Sequence, residues 1–292
     1  MKITLSKYAG FCEGVQRAFE MVEKIAKDPE VKKPIFVLGS LVHNDEVVAK
    51  IESLGVKKIN IEGTLKDFFE KNKNQIGTLV ITAHGAGPKI FELAKKYQIN
   101  LVDTTCPRVI KVQRLAKNFF EKEVQIVIIG EKTHKEVVGI FQWGGNVAVF
   151  VEKMKDLATL SLDPDKEIAV LSQTTQDQEF VQFAGQEILK KYPQAQILDS
   201  ICLATHSRQS EISQLAKSSD VVIVLGDPAS SNSKRLFEVA KRINENSYFI
   251  QTATQLDKRW LKNKKNVAIT AGASTPDWVI NEVVVSLSGD IF

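Results

Sequence analysis

The stretch VDTTCPRVIK, residues 102–111, ends a short apolar run in two threonines and a cysteine, then opens a helical pattern at Pro107. Proline is favourable at the first helical position because its missing N–H is one the helix leaves unpaired anyway. Cys106 therefore falls at the N-cap. A thiol there faces unpaired backbone N–H groups and the positive end of the helix dipole, which favour thiolate over thiol. A lone cysteine is more often a small buried hydrophobe, but this one has two counterparts.

Cys12, Cys106 and Cys202 are separated by 94 and 96 positions in a chain of 292 residues. A spacing near one third of the chain marks a repeat. The neighbourhoods agree: KITLSKYAGFC, NLVDTTC and AQILDSIC are apolar runs ending in the cysteine, each followed by a helical pattern. A second set, PIFVLGSLVHN, QIVIIGEKTHKE and VVIVLGDPASSN, consists of strands closing on Gly39, Gly130 and Gly226, with His43, His134 and Ser230 four residues past each glycine. A third set, LVITAHG, IAVLSQTT and VAITAGAS, again runs into small polar residues. Strands that end in glycine or small polar residues before a helix are βα turns. The predicted fold is therefore α/β, with three quasi-equivalent domains at 13–105, 106–201 and 202–292. Each has a small, mainly parallel sheet, and the third is completed by an N-terminal strand within 1–12. Ligands bind beyond the carboxyl ends of parallel strands, so a pseudo-threefold arrangement would bring the three cysteines to one centre.

Composition narrows the class. With 43% hydrophobic and 25% charged residues, the chain reads as soluble and globular. No apolar run reaches the ~18 residues of a membrane span, and MKITLSKYAGFC lacks the apolar core of a signal peptide. A cytoplasmic protein with no membrane partner is expected. The net charge of +4 is mild and its cations are interspersed with acids, which does not indicate nucleic acid. An odd number of cysteines without a CxxC pair argues against a disulfide framework and against a common zinc pattern.

Three thiolates suit another chemistry. A structural zinc site wants a fourth protein ligand. A cubane iron–sulfur cluster normally takes four cysteines, so three leave one iron with an open position. An open iron is a Lewis acid beside an electron store, as reductive removal of an oxygen group requires. DPASSNSKRL places Ser230, Ser231 and Asn232 at a helix start, an anion site by construction, although in isolation an ordinary serine and asparagine cap is the simpler explanation. Ser274 in AGASTPDWV repeats the pattern, and His43 and His84 hold matching places. Several such ends together suit a diphosphate. In THKEVVG, His134 is in phase with His43, and Glu136 is the one carboxylate predicted beside the centre. It is thus the candidate proton donor, against the plainer reading of a first-turn glutamate favoured by the helix dipole.

Taken together, GFCEGV, LVHN, TAHG, DTTCP, THKEVVG, SQTT, CLATHSRQ, SSNS and AGASTPD, in this order along the whole chain, resemble the 4-hydroxy-3-methylbut-2-enyl diphosphate reductase family. The resemblance implies a three-domain α/β fold around an oxygen-sensitive [4Fe-4S] cluster. It implies a reductive dehydroxylation that yields isopentenyl and dimethylallyl diphosphate, with the substrate hydroxyl at the open iron. By matching motifs, Cys12, Cys106 and Cys202 would hold the cluster, and His43, His84, Ser230, Ser231, Asn232 and Ser274 the diphosphate. Thr174, His134 and Glu136 would orient the hydroxyl and deliver protons. Two departures stand out: Pro228 and Ala229 replace a more usual basic or polar pair, and Lys135 stands where proline is common. Quinolinate synthase has a similar three-cysteine plan, but its motifs are not found; a cluster-carrying sensor without turnover is the reading from a different class. Ferredoxin or flavodoxin, both acidic, would suit a mildly basic surface as electron donor, and a monomer is the simpler expectation.

Overall fold

The computed structural model describes residues 1–289; positions 290–292, assigned from sequence to the third domain, lie outside the described residues. The α/β architecture is realised as three four-stranded parallel sheets. The first holds β2 (Ile35–Leu38), β3 (Lys57–Ile59), β4 (Thr78–Ile81) and β5 (Asn100–Asp103), in the order β3-β2-β4-β5. The second holds β6 (Gln125–Ile129), β7 (Val149–Val151), β8 (Ile168–Ser172) and β9 (Gln196–Ile197), in the order β7-β6-β8-β9. The third sets β10 (Val221–Leu225), β11 (Ser247–Ile250) and β12 (Asn266–Ala271) beside β1 (Lys2–Leu5), in the order β11-β10-β12-β1.

The same order recurs three times: the second strand of each unit at one edge, then the first, the third and the fourth. In the third sheet the fourth strand comes from the other end of the chain, with Lys2 to Leu5 in register with Asn266 to Ile269. Sequence patterning identifies nine of these twelve strands and misses β3, β7 and β11, each at one edge of its sheet. The reason is physical. The central strands are covered on both faces and read as unbroken apolar runs, as in β10, where all five residues are buried. The edge strand KKI of β3 has two exposed lysines in three residues and carries no such run.

The helices are α1 (Glu13–Lys27), α2 (Asp45–Ser53), α3 (Leu65–Asn72), α4 (Pro88–Lys96), α5 (Pro107–Glu121), α6 (Lys135–Trp143), α7 (Met154–Thr159), α8 (Gln178–Lys191), α9 (Leu203–Ser218), α10 (Ser231–Ile243) and α11 (Asp277–Gly289). The chain forms two compact units. One comprises Met1–Gln16, Val42–Ala49 and residues from Cys202 onward, around the third sheet; the other comprises Arg17–Leu41 and Lys50–Ile201, with the first two sheets. In the former, Ile212 and Ala216 of α9 and Leu236, Val239 and Ala240 of α10 pack with Val222 and Val224, while Ile280, Val283 and Leu287 of α11 pack with Ile223 and Ile269. In the latter, Ile90, Leu93 and Ala94 of α4 and the two phenylalanines of α3 cover Leu79 and Ile81. The second sheet lies between α5 with α6 on one side and α8 on the other.

Two glycines let one helix start settle onto the third sheet. A Cβ on Gly226 or on Gly272 would overlap the hydroxyl of Ser233, which is fully buried in the first turn of α10. Serine is short and has nowhere to swing. Gly272→Ala should therefore destabilise by ~1–3 kcal/mol, the usual range for overpacking a filled site, seen as a lower melting temperature. An unchanged melting temperature would show that Ser233 has room to move.

Candidate active site at the strand ends

In each sheet the strand order reverses between the first and third strands, the place where open α/β sheets bind ligands. The sequence-predicted residues lie there: His43 and His84 follow β2 and β4, His134 and Thr174 follow β6 and β8, and Ser230 and Ser274 follow β10 and β12. The cysteines follow the fourth strands, β1, β5 and β9.

In the unit with the first two sheets, the chemistry gathers on Glu136. Its carboxylate is 2% exposed. Oε1 accepts the Thr174 N–H at 2.6 Å and Oε2 accepts the Thr174 hydroxyl at 2.9 Å. Burial pushes this carboxyl from its usual 4.5 up to about 7, with the two Thr174 bonds pulling the other way. His134 caps α6 and accepts the Glu136 N–H at Nδ1, 3.3 Å. An imidazole that accepts at Nδ1 carries its proton on Nε2. The His84 ring meets the His134 ring edge-on, with centroids 5.5 Å apart. Cys106 is the N-cap of α5 and Pro107 its first residue, as the opening stretch predicts. The threonines before it are anchors: Thr104 donates its hydroxyl to the Ile81 carbonyl at 2.5 Å, and the Cys106 N–H donates to Ala83 O at 3.0 Å. The loop before His84 and the loop bearing Cys106 are thus fixed to each other.

In the other unit, Ser230 caps α10, and its hydroxyl accepts from Ser233 N–H and Oγ. Ser274 Oγ donates to the His43 carbonyl at 3.0 Å and lies 3.2 Å from Ser230 Oγ. Three predicted residues from three segments are therefore in contact. Ser231 and Asn232, in the first turn, are 5% exposed, and the Asn232 Nδ2 is buried with no partner. An unpaired buried donor in the first turn of a helix is an uncompensated cost that an anion removes.

Cys12 and Cys202 belong to this unit. The Cys12 N–H donates to Ala273 O at 3.2 Å, repeating the Cys106–Ala83 bond. Cys202 caps α9, its Sγ accepting the Thr205 N–H at 3.3 Å. All three cysteines are half-buried and outside any disulfide. Sequence reasoning missed Arg208, although CLATHSRQ places a cation on the helix that Cys202 begins. Arg208 is 4% exposed and donates to Gly10 O at 2.7 Å and Ala204 O at 3.1 Å, two residues from Cys12 and two from Cys202. Burial pulls its guanidinium below the usual range, and the negative charge of the Cys12 and Cys202 sulfurs pulls it back. The link to Gly10 spans most of the chain and leaves no local pattern.

The LytB protein family model matches residues 3–288. The 4-hydroxy-3-methylbut-2-enyl diphosphate reductase of Symbiobacterium thermophilum is 36% identical over 94% of this chain and 92% of its own length. That of Clostridioides difficile is 35% identical over 98% of this chain and 99% of its own. Among solved structures, the E-1-hydroxy-2-methyl-but-2-enyl-4-diphosphate reductase of Plasmodium falciparum superposes with a TM-score of 0.89 at 33% identity, covering 98% of this chain and 87% of that one. A second, described as the terminal enzyme of the non-mevalonate pathway, superposes with a TM-score of 0.69 at 31% identity, covering 99% of this chain and 100% of that one.

The Glu136 carboxyl ties stability to pH. Its folded value, about 7, lies above the ordinary 4.5. Below 4.5 both folded and unfolded chains hold the proton; between 4.5 and 7 the unfolded chain loses it first, so the contribution to stability falls as pH rises and is gone above 7. Glu136→Gln cannot ionise. Its stability relative to the parent should rise across this window, by up to ~3 kcal/mol. Urea midpoints of both proteins from pH 4 to 8 measure the difference, and parallel profiles would show that burial does not perturb the carboxyl.

Proposed function

The chain belongs to the LytB family, and from that membership and the chemistry of its strand ends we infer that it reduces 4-hydroxy-3-methylbut-2-enyl diphosphate to isopentenyl and dimethylallyl diphosphate. It is an oxidoreductase of the non-mevalonate isoprenoid route. The carbon–oxygen bond breaks, the five-carbon unit takes up two electrons and a proton, and the oxygen departs with a second proton as water.

Cys12, Cys106 and Cys202 are the ligands of an iron–sulfur group, a [4Fe-4S] cluster. What supports this is the donor set: three half-buried thiols outside any disulfide, each at a helix start after a fourth strand, with the Arg208 cation facing two of them. Bound there, the cluster supplies the two electrons and a Lewis-acid iron. The rest of the reaction falls to the protein. Ser230, Ser231, Asn232, Ser274, His43 and His84 hold the diphosphate, an assignment supported by the unpaired Asn232 amide at the start of α10. Thr174 fixes the Glu136 carboxyl and orients the substrate hydroxyl, and His134 presents its Nε2 proton.

The observation that carries this reading is Glu136, a buried carboxyl poised at about 7. A general acid works best with a pKa near the working pH, and a leaving hydroxide shielded from bulk water needs a donor at hand. The same reading takes the protein as a cytoplasmic monomer of three domains, 13–105, 106–201 and 202–292 with 1–12, that receives electrons from ferredoxin or flavodoxin. Among the described residues no helix is long and apolar enough to cross a membrane.

One set of anaerobic preparations tests the assignment. Cys→Ser at 12, 106 or 202 should cut iron and sulfide content and abolish turnover. Glu136→Gln should keep its iron and its affinity for the diphosphate while turnover drops by ~10²-fold or more, the size of a general acid's contribution. Asn232→Ala should weaken diphosphate binding by about one to two powers of ten, because a hydrogen bond to a charged group contributes ~1.5–3 kcal/mol. Full iron in a cysteine variant would remove that residue from the ligand set, and a near-normal rate in Glu136→Gln would remove the carboxyl from the mechanism.

A further inference from the structure

Helix α5 starts one residue after Cys106 and carries an unusual charge pattern. Its sequence PRVIKVQRLAKNFFE has no acid before Glu121 and no acidic residue in its first turn. Val109, Val112, Gln113 and Ala116 are buried. The opposite side exposes Arg108, Lys111 and Arg114. These three cations stand three residues apart, a spacing at which like charges on a helix repel, and Arg108 lies in the first turn, where the macrodipole disfavours a cation. Among the described residues none of their side chains forms a hydrogen bond or an ion pair. By contrast, Lys117 one turn further on is paired with Glu121 at 3.6 Å. The mild net charge of the chain conceals this local concentration.

The face also has shape. Pro107, Ile110, Lys111, Arg114, Leu115 and Asn118 line a groove of about 490 Å³. Half-buried Ile110 and Leu115 give it an apolar floor flanked by cations, the composition of a protein-binding patch with a charged rim. At a rise of ~1.5 Å per residue, Lys111 and Arg114 lie about 8 and 12 Å along the helix axis from Cys106.

We propose that the exposed Arg108–Lys111–Arg114 face of α5 is the docking surface for a small acidic electron-carrier protein, which delivers electrons on the Cys106 side of the cluster. The proposal rests on the reductase reading and on Cys106 being a cluster ligand. A face that destabilises its own helix through unpaired like charges is matched by a partner that neutralises them, and a reductase must receive its two electrons from outside. A one-electron carrier docks twice per turnover and leaves oxidised by one electron each time. Fast, weak, salt-sensitive encounters of this kind are what charge complementarity provides.

The test compares two reductants on one anaerobic holoenzyme: reduced flavodoxin, which must dock, and a reduced viologen dye, which need not. In Arg108→Glu/Lys111→Glu/Arg114→Glu the KM for flavodoxin should rise by ~10-fold or more, the scale on which electrostatic steering changes association. The dependence of the flavodoxin-driven rate on ionic strength should flatten. Iron content and viologen-driven turnover should stay at parent values, and Lys111→Arg/Arg114→Lys, which keeps the charge, should keep the parent KM. An unchanged flavodoxin KM and salt dependence in the charge-reversed protein would overturn the proposal. So would a parent dimer that becomes monomeric on charge reversal in sedimentation, since the face would then be an interface between copies of this chain. If the parent enzyme itself fails to turn over with viologen, the reductase reading fails instead.

Discussion

The parallel pairing of β1 with β12 is the contact on which the arrangement of the unit around the third sheet depends. The pairing alone brings an N-terminal strand to the sheet, and side chains of α9 then secure the residues between β1 and Cys12. Glu211 accepts the Lys7 N–H at 2.9 Å and the Tyr8 N–H at 3.3 Å and also takes the Ser6 hydroxyl. Three residues earlier on the same helix, Arg208 holds Gly10 O. That short segment is therefore fastened, by one anion and one cation, to a helix whose cap is Cys202. Two of the three cysteines are positioned by a single helix without a covalent link between them.

Both candidate sites hold polar groups in places that ordinary stability arguments disfavour. Ionised carboxylates are costly to bury, and the burial of Glu136 favours its protonated form even though Thr174 donates to both carboxylate oxygens and pulls the other way. Asn232 keeps an amide donor unpaired, and Arg208 keeps its Nε unpaired while its other nitrogens reach only backbone carbonyls. Such departures are expected at functional sites, where local consistency gives way to chemistry. Their chemistry differs: Asn232 leaves a donor unpaired in the first turn of α10, Arg208 buries a cation beside the Cys12 and Cys202 sulfurs, and Glu136 buries a near-neutral acid.

Much of this was legible in the chain because each repeat writes its strand ends in the same order. Three apolar runs per repeat, each stopped by glycine, serine, threonine, histidine or cysteine, are enough to identify the central strands and the residues beyond them. Pro107 locates a helix start to the residue. Sequence did not reveal β3, β7 and β11, edge strands of three or four residues that do not lead into one of the glycine, histidine or cysteine stops the repeats share. Nor could it reveal the contacts that set the properties of the residues it named. That Ser274 meets both His43 and Ser230, that Thr174 grips Glu136, and that Arg208 reaches Gly10 are facts of tertiary packing across large sequence separations. The tight fit of Ser233 against Gly226 and Gly272 is equally silent, since each glycine also fits an ordinary turn.

The recurring strand order bears on how a cell makes this protein. On the ribosome, each sheet whose four strands are consecutive in the chain can close soon after its last strand emerges. The third sheet cannot. Lys2 and Asn266 are register partners, so β1 leaves the exit tunnel first and waits through almost the whole of synthesis with its pairing edge open. Domains otherwise fold in order of emergence, and long-range parallel pairing is intrinsically slow. Cys12, which follows that waiting strand and donates its N–H to Ala273 O just past β12, is held in place only once β12 has been made. The segment that carries Gly10 and Cys12 therefore reaches Arg208, on the helix that Cys202 caps, only as a late event, after β12 has paired with β1.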